Sequence, residues 1–238
     1  MIVLDRRAVL AGLAAAGAAA SLDLSGLASH AAALAQGRAP NVFLSETEAR
    51  ILTALCDRLI PEDEFPSASQ AGVINYIDLQ LAGDWGKGEG LYNKEPHFPG
   101  KPEQGYQLPY TPAALYRRAL EAIANDRQTN FLGRDAAGQD AFLTELQKGT
   151  RSLGDIPAHV FFGMLMQNTL EGYFADPIYG GNRDYAGWRM LGFPGAPAYY
   201  LTDVSRHNLV YVRPPYGIGY SPDGKQAPIR ARFSRKGG

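Results

Sequence analysis

Apolar residues recur at helical spacing between residues 45 and 173, and this periodicity constrains the fold more than any other feature. Five segments show it, and no strand-like alternation competes with them before residue 200. Two begin with clear caps: Ser45 and Glu48 form a capping box, and Thr111-Pro112 supplies an N-cap and a first helical residue. We therefore predict a mainly α fold, a single helical domain with long irregular aromatic-rich loops and an extended C-terminal arm.

Stop signals divide this domain into five predicted helices. They cover residues 45–61, about 71–81, 111 to about 125, about 139–148, and 157 to about 173. In the second helix we expect Val73, Ile74, Ile77 and Leu81 to face inward. Gly83 follows where a left-handed C-cap would fall.

Two segments are too rich in glycine and proline for regular structure. Residues 84–111 hold five glycines, four prolines and several aromatic residues, so this loop is expected to pack against another surface. The second segment begins at residue 196, and eight of the 13 tyrosines lie between Tyr173 and Tyr220. So aromatic an arm must be buried on its own helices or on a partner.

The two ends of the chain differ from the domain between them. Arg6-Arg7 precedes a 13-residue apolar run, too short to cross a bilayer, and Ala33-Leu34-Ala35 is a small-x-small cleavage site. Residues 1–35 are therefore expected to be a twin-arginine export signal, although a retained N-terminal helix or anchor is the alternative. Residues 36–220 would form the helical domain and its arm, and residues 221–238 a flexible basic tail.

The sequence contains no convincing metal-binding, nucleophile or phosphate-loop motif. The four histidines are widely separated, no Gly-x-Ser-x-Gly is present, and Gly86-Lys87-Gly88 lacks the strand and helix of a phosphate loop. The net charge of −1 gives no reason to expect nucleic-acid binding. We predict no catalytic, cofactor-binding or metal-binding residue in this chain.

Cys56 is the only cysteine, so no internal disulfide can form. It shares the apolar face of the first predicted helix with Leu52 and Leu59, which favours a buried core position. The alternative is a disulfide to another protein, because a leftover thiol in an exported chain is available for an intermolecular bridge.

The stretch EGYFADPIYGGN, residues 171–182, combines two acids, three aromatics and paired glycines. A structural turn explains it: Asp176-Pro177 ends a helix, Gly180-Gly181 supplies positive φ, and Asn182 bonds local backbone. Trp188 and the nearby aromatics would seat that turn. Alternatively, Glu171 and Asp176 bind or hydrolyse a sugar, since carboxylates beside aromatics do so elsewhere, or the stretch contacts a partner directly.

Several blocks of this sequence resemble one protein family. They are EGYFADPIYGGN at 171–182, GWRMLGFPG at 187–195, PEQGYQL at 102–108 with Thr111-Pro112 and Leu115-Tyr116-Arg117, and LCDRLIP at 55–61. Together they are similar to the gluconate 2-dehydrogenase subunit 3 family over roughly residues 45–220. The twin-arginine leader is also typical of that family.

The resemblance implies a non-catalytic small subunit of a periplasmic, inner-membrane-associated sugar or sugar-acid dehydrogenase. A large subunit would carry FAD and oxidise the substrate, and a multihaem c-type cytochrome subunit would carry haem c and supply the membrane attachment. The small subunit would support maturation, export and stability of the large one. The substrate is not implied.

Such a subunit needs a surface for its partner, and buried tyrosines are common at interfaces. The candidates are the tyrosines of the long loop and of the arm: Tyr106, Tyr110, Tyr200, Tyr211 and Tyr216.

Overall fold

The computed structural model describes residues 41–91, 97, 100–101, 107–126, 129–195 and 214–218. The described residues all belong to one unit, 41–238. The predicted export signal at 1–35, the predicted tail at 221–238, and Tyr106, Tyr200 and Tyr211 lie outside the described residues.

The prediction of a mainly α fold is confirmed. The described chain contains six helices: α1 (Glu46–Leu59), α2 (Val73–Ala82), α3 (Pro112–Asn125), α4 (Ala136–Lys148), α5 (Ala158–Phe174) and α6 (Ala186–Leu191). Short 3₁₀ turns occur at Phe131–Gly133, Pro177–Tyr179 and Arg183–Tyr185. The longest helix, α5, contacts the other five and is the centre of the fold.

Helix α1 begins where its sequence predicts. The Ser45 N–H donates to the Glu48 carboxylate at 2.8 Å, and the Glu48 N–H donates to the Ser45 hydroxyl at 3.3 Å, which completes the capping box. Its inward face buries Ile51, Leu52, Leu55 and Cys56.

Helix α2 also buries its predicted face, Val73, Ile74, Ile77 and Leu81, but its end differs from the prediction. Gly83 is extended (φ −86°, ψ −165°), so the expected left-handed C-cap is wrong. The chain comes back to the helix three residues later: a Cβ on Gly86 would lie 2.0 Å from the Leu81 carbonyl oxygen. Glycine is required at the close approach of residue 86, not at the helix end.

Helix α4 begins three residues before its predicted start. Asp135 caps it by accepting a hydrogen bond from the Gly138 N–H at 2.9 Å. Gly138 in the first turn obscures this start in the sequence, because glycine is a poor helix former.

A two-residue hairpin precedes α5 and has no counterpart in the sequence-based prediction. Strands β1 (Ser152–Leu153) and β2 (Ile156–Pro157) are antiparallel, with Leu153 opposite Ile156. Strands of two residues are too short to show an alternation of apolar and polar residues. Gly154, with φ +67°, permits the tight turn between them.

The chain enters the domain on a buried carboxylate. Three successive N–H groups, from Val42, Phe43 and Leu44, donate to Asp78 of α2 at 2.6–2.9 Å, and Asp78 is fully buried. Charge-assisted bonds of this kind satisfy an otherwise costly buried charge. The entry segment is therefore fixed to α2.

The aromatic-rich 84–111 loop was expected to pack against another surface. Its described parts pack against the helical domain itself. Trp85, Leu108 and Tyr110 pack against the hydrophobic core. The Ala113 N–H at the start of α3 donates to the Gly86 carbonyl at 3.0 Å.

Candidate functional site

The turn between α5 and α6 brings the most distinctive residues of the sequence together. Helix α5 ends at Phe174, and Asp176 has the extended conformation (φ −59°, ψ 131°) that a following proline favours. One oxygen of the Asp176 carboxylate accepts a hydrogen bond from the Ile178 N–H at 2.9 Å. Gly180 then reverses the chain with φ +99°.

Asn182 holds the turn together from inside. Its side chain is fully buried, donates to the Ala175 carbonyl at 2.8 Å and accepts from the Gly187 N–H at 2.9 Å. Its own N–H donates to the Gly172 carbonyl at 2.8 Å. One residue therefore connects the end of α5 to the start of α6.

Two glycines permit the chain to approach α5 so closely. A Cβ on Gly181 would lie 2.0 Å from the Gly172 carbonyl oxygen, and a Cβ on Gly187 would lie 2.2 Å from the Tyr173 carbonyl oxygen. The expectation that both Gly180 and Gly181 have positive φ is wrong for Gly181. Backbone contact is the reason for glycine at position 181, and Asn182 takes the left-handed conformation instead (φ 45°).

Aromatic rings surround the turn. Trp188 is 5% exposed and donates from its indole nitrogen to the Phe174 carbonyl at 2.6 Å. Its ring stacks on Tyr185, with centroids 5.4 Å apart, and meets Phe193 edge-on at 5.2 Å. Trp188 thus fixes α6 against the end of α5.

A distant segment, residues 214–218, docks on this turn. Asp176 uses its second carboxylate oxygen to accept from the Ile218 N–H at 2.6 Å, and the Tyr185 hydroxyl accepts from the Gly217 N–H at 2.9 Å. Tyr216 pairs with Gly195 in an isolated parallel bridge. The turn is therefore a junction between two parts of the chain that are distant in sequence.

The backbone is strained beside this junction. Asp184 and Tyr185 both have positive φ, 53° and 58°. This conformation is rare for a bulky side chain such as tyrosine and persists only where the surroundings enforce it. The stacking of Tyr185 on Trp188 and its bond to Gly217 are those surroundings.

Glu171, the other carboxylate of the stretch, lies on α5 in a polar cluster. Its oxygens accept hydrogen bonds from the Tyr76 hydroxyl at 3.1 Å, Gln167 at 2.8 Å and Asn168 at 3.2 Å. Burial and the neighbouring Glu171 charge raise the pKa of Tyr76. Tyr116, fully buried, extends the cluster by donating to Asn168 at 2.8 Å.

The structure thus gives both carboxylates of the sugar-site hypothesis intramolecular partners. Asp176 accepts from two backbone N–H groups, and Glu171 accepts from three side chains. These bonds position the end of α5 and its junction with residues 214–218.

Two of the five tyrosines named as partner-contact candidates are described. Tyr110 donates to Asp155 at 2.6 Å, and the Arg118 guanidinium lies 4.9 Å from its ring centre, so it joins the long loop to α3 and to the β1–β2 turn. Tyr216 is 37% exposed beside the turn.

Cys56 is fully buried, as the helical pattern predicts. Its sulfur lies 3.4 Å from the Thr169 hydroxyl, which itself donates to the Leu165 carbonyl. Burial raises the pKa of the thiol to about 12. The thiol is therefore neutral and shielded in the folded domain.

Within the described ranges, no group of three or more His, Cys, Asp or Glu side chains is arranged to hold a metal ion. In the same residues no helix has the length and apolar character that a membrane span requires.

Sequence reasoning missed two features of the structure. The first is the role of Asp78 in binding the entry segment. Asp78 is the one acidic residue in the otherwise apolar helix α2, which is only a weak signal of a buried hydrogen-bond acceptor. The second is the exposure of large apolar side chains at the end of α6, such as Leu191 at 64% and Phe193 at 47%. Leu191 is the last residue of α6 and Phe193 follows it, and apolar residues without a helical period at such a helix end indicate surface exposure or partner contact.

Comparison with known proteins gives one match. The model of a protein family described as gluconate 2-dehydrogenase subunit 3 matches residues 46–195, which include all six helices and the turn. Comparisons with curated proteins and with solved structures give no match.

Proposed function

Because the chain belongs to the gluconate 2-dehydrogenase subunit 3 family, we propose that it is the non-catalytic small subunit of a periplasmic, membrane-associated flavin-dependent sugar or sugar-acid dehydrogenase. The large subunit carries FAD and oxidises the substrate. A multihaem c-type cytochrome subunit passes the electrons on and attaches the complex to the inner membrane. The small subunit supports maturation, export and stability of the large one.

The observation that carries the proposal is the extent of the family match. It begins at the first residue of α1 and ends at Gly195, beside the segment that docks on the turn. The matched region therefore includes all six described helices, the buried Asn182 and the strained Tyr185.

The hydrogen bonding of the matched region also favours a structural role. Asp176 and Asn182 bond to backbone groups of their own chain, and the Glu171 carboxylate accepts from three neighbouring side chains. Such bonds stabilise a rigid surface, and a rigid surface binds another protein with little loss of conformational entropy.

The leader gives the proposed export role a physical reason. The twin-arginine route accepts folded cargo, and a flavoprotein acquires FAD when it folds in the cytoplasm. A small subunit with Arg6-Arg7 in its leader would carry its bound, folded partner across the membrane with it.

Export of the flavin subunit tests this proposal. The full chain and the large subunit are co-expressed, and FAD-containing protein is measured in the periplasmic and cytoplasmic fractions. We expect Arg6→Lys/Arg7→Lys to leave both subunits in the cytoplasm, whereas Arg38→Lys, a control outside the leader, leaves export unchanged. Normal periplasmic delivery of the flavin subunit without the twin arginines would contradict the export role.

A further inference from the structure

The entry segment, residues 42–44, is ordered by a carboxylate from a distant part of the chain. All three of its N–H groups donate to Asp78 of α2: those of Phe43 and Leu44 to one oxygen, and that of Val42 to the other. The first residues of a domain are poorly ordered unless contacts of this kind hold them. Asp78 therefore fixes the backbone at all three positions of the entry segment.

Arg117 of α3 makes a second set of contacts with the entry segment. Its guanidinium donates to the Phe43 carbonyl at 2.8 Å and lies 4.1 Å from the centre of the Phe43 ring. The same guanidinium pairs with Glu48 of α1, whose carboxylate also caps that helix through the Ser45 N–H. One arginine therefore joins the entry segment to two further helices.

The docked entry segment exists only when these helices have assembled. Asp78 lies 34 positions from Leu44, and Arg117 lies 74 positions from Phe43. The three helices concerned, α1, α2 and α3, contact one another. Because the acceptor and the donor come from separate helices, an unfolded chain cannot hold both at the positions that the entry segment requires.

The entry segment adds little to the core that the helices form. Val42 is 59% exposed and Phe43 is half-buried, whereas Leu44 belongs to the buried core cluster. Short segments at the edge of a domain open locally at a lower free energy than the whole domain unfolds. Residues 42–44 can therefore leave their site while the helices stay packed.

The position of the entry segment in the sequence gives this dependence on folding a use. It follows the predicted leader, residues 1–35, by a few residues. We infer that the entry segment makes export depend on folding: it docks only on the assembled helices, and its order beside the leader lets a route that accepts folded cargo act on the chain. An undocked entry segment instead leaves an unordered apolar Val-Phe-Leu run beside the leader. The inference rests on the proposed export role.

Two neighbouring arginines provide a matched pair of variants. Arg118 also lies over an aromatic ring, that of Tyr110, and pairs with a carboxylate, that of Asp155 at 2.6 Å, but these contacts hold the 84–111 loop. Arg117→Gln therefore removes the contacts to the entry segment, and Arg118→Gln removes an equivalent set elsewhere on the same helix. Asp78→Asn, which keeps the shape of the side chain but only one acceptor oxygen, is a second releasing variant.

Two measurements on the full chain, co-expressed with the large subunit, test the inference. The first is hydrogen exchange of the amides of residues 42–44 in the purified small subunit, with the amides of α5 as the internal reference. The second is the share of FAD-containing protein in the periplasmic fraction. The first reports docking whether or not the chain is exported, so the two can fail separately.

We expect Arg117→Gln to accelerate exchange at residues 42–44 about tenfold or more, and Asp78→Asn to accelerate it further, while exchange in α5 stays as in the wild type. Periplasmic FAD-containing protein should fall several-fold in both variants, and Arg118→Gln should match the wild type in both measurements.

Three results would overturn the inference while the proposed function stands. They are faster exchange at residues 42–44 with unchanged export, unchanged exchange in both releasing variants, and exchange that rises equally in α5, which would make the entry segment inseparable from the helical frame. If the wild type delivers no FAD-containing protein to the periplasm, the proposed export role fails and the inference fails with it.

Discussion

Asn182 combines three contacts in the turn between α5 and α6. Its backbone N–H bonds to Gly172, its side-chain amide donates to Ala175, and its side-chain oxygen accepts from Gly187. It also adopts the left-handed conformation, which asparagine tolerates better than most residues. A fully buried side chain with both polar atoms bonded is difficult to replace.

We predict that Asn182→Ala lowers the free energy of unfolding by about 2–4 kcal/mol, because a buried carbonyl and a buried N–H each lose their partner. Urea denaturation of the purified chain measures the change. The matched control is Asn125→Ala at the exposed last residue of α3, where the change stays within about 0.5 kcal/mol. Equal effects of the two substitutions would show that the turn does not depend on Asn182.

Cys56 provides a second test at a single residue. Because the thiol is fully buried and its pKa is raised to about 12, a thiol reagent can react with it only when the domain opens. We expect labelling by Ellman's reagent at neutral pH to be at least about a hundredfold slower in the native chain than in urea.

The same measurement separates a buried thiol from an intermolecular link. Rapid labelling of the native chain would contradict the buried position. A reducible band that joins this chain to another protein on non-reducing electrophoresis would show that Cys56 forms the intermolecular bridge.

At the scale of secondary-structure elements, the crossing of α5 and α6 depends on a glycine, and the chain offers a matched pair to test it. A Cβ on Gly187 of α6 would lie 2.2 Å from the Tyr173 carbonyl oxygen. Gly163 in α5 has nothing within 4 Å of the same position. Both glycines lie in helices, Gly163 inside α5 and Gly187 in the first turn of α6, so helix propensity alone would favour alanine at both.

We predict opposite effects for the two alanine substitutions. Gly163→Ala raises the free energy of unfolding by about 0.5–1 kcal/mol, since alanine is the better helix former. Gly187→Ala lowers it by about 2 kcal/mol or more, because the helices must separate and the Trp188 bond to Phe174 weakens. Thermal or urea unfolding measures both. Stabilisation by both substitutions would disprove the close crossing.

The helices could be predicted from sequence where capping and periodicity agree. Ser45 and Thr111 mark the starts of α1 and α3, and Leu115, Ala119 and Ile123 mark the buried face of α3. The start of α4 was obscured by Gly138, and the end of α2 depends on where Gly86 packs, which is a tertiary contact. Local signals do not contain such contacts.

The candidate site was predictable only in part, for the same reason. Asp176-Pro177 and Gly180 have local signals of a turn, and the structure shows that turn. The bond from Ile218 to Asp176 joins residues 42 positions apart, and Tyr216 pairs with Gly195 only because residues 214–218 return to the turn. No pattern in either stretch alone indicates the other.

At the scale of the whole molecule, the core contains groups that resist ionisation. Cys56 of α1 and Tyr116 of α3 are fully buried against α5. Burial raises the pKa of the thiol from 9.0 to about 12 and raises the pKa of the Tyr116 phenol above its usual 10.0. In the unfolded chain both groups ionise at their ordinary pKa values.

We therefore predict that the chain loses stability in alkaline solution. Both pKa values are higher in the folded state, so the stability is fully present below pH 9 and falls as the pH rises from 9 towards 12. Urea midpoints measured at pH 7, 9 and 10.5 test this, and Cys56→Ala should reduce the decline between pH 9 and 10.5. A midpoint that stays constant over this range would contradict the buried, neutral state of these groups.

The central claim is that this chain is a companion of a flavin enzyme and does not itself oxidise a sugar. The most direct test is dye-linked dehydrogenase activity with a panel of sugars and sugar acids, measured on the purified chain alone and on the chain co-purified with its large subunit. We predict activity only in the flavin-coloured complex, with a rate that does not change in Glu171→Gln. Activity or sugar binding by the colourless chain alone, lost in Glu171→Gln, would contradict the account and make Glu171 part of a working site.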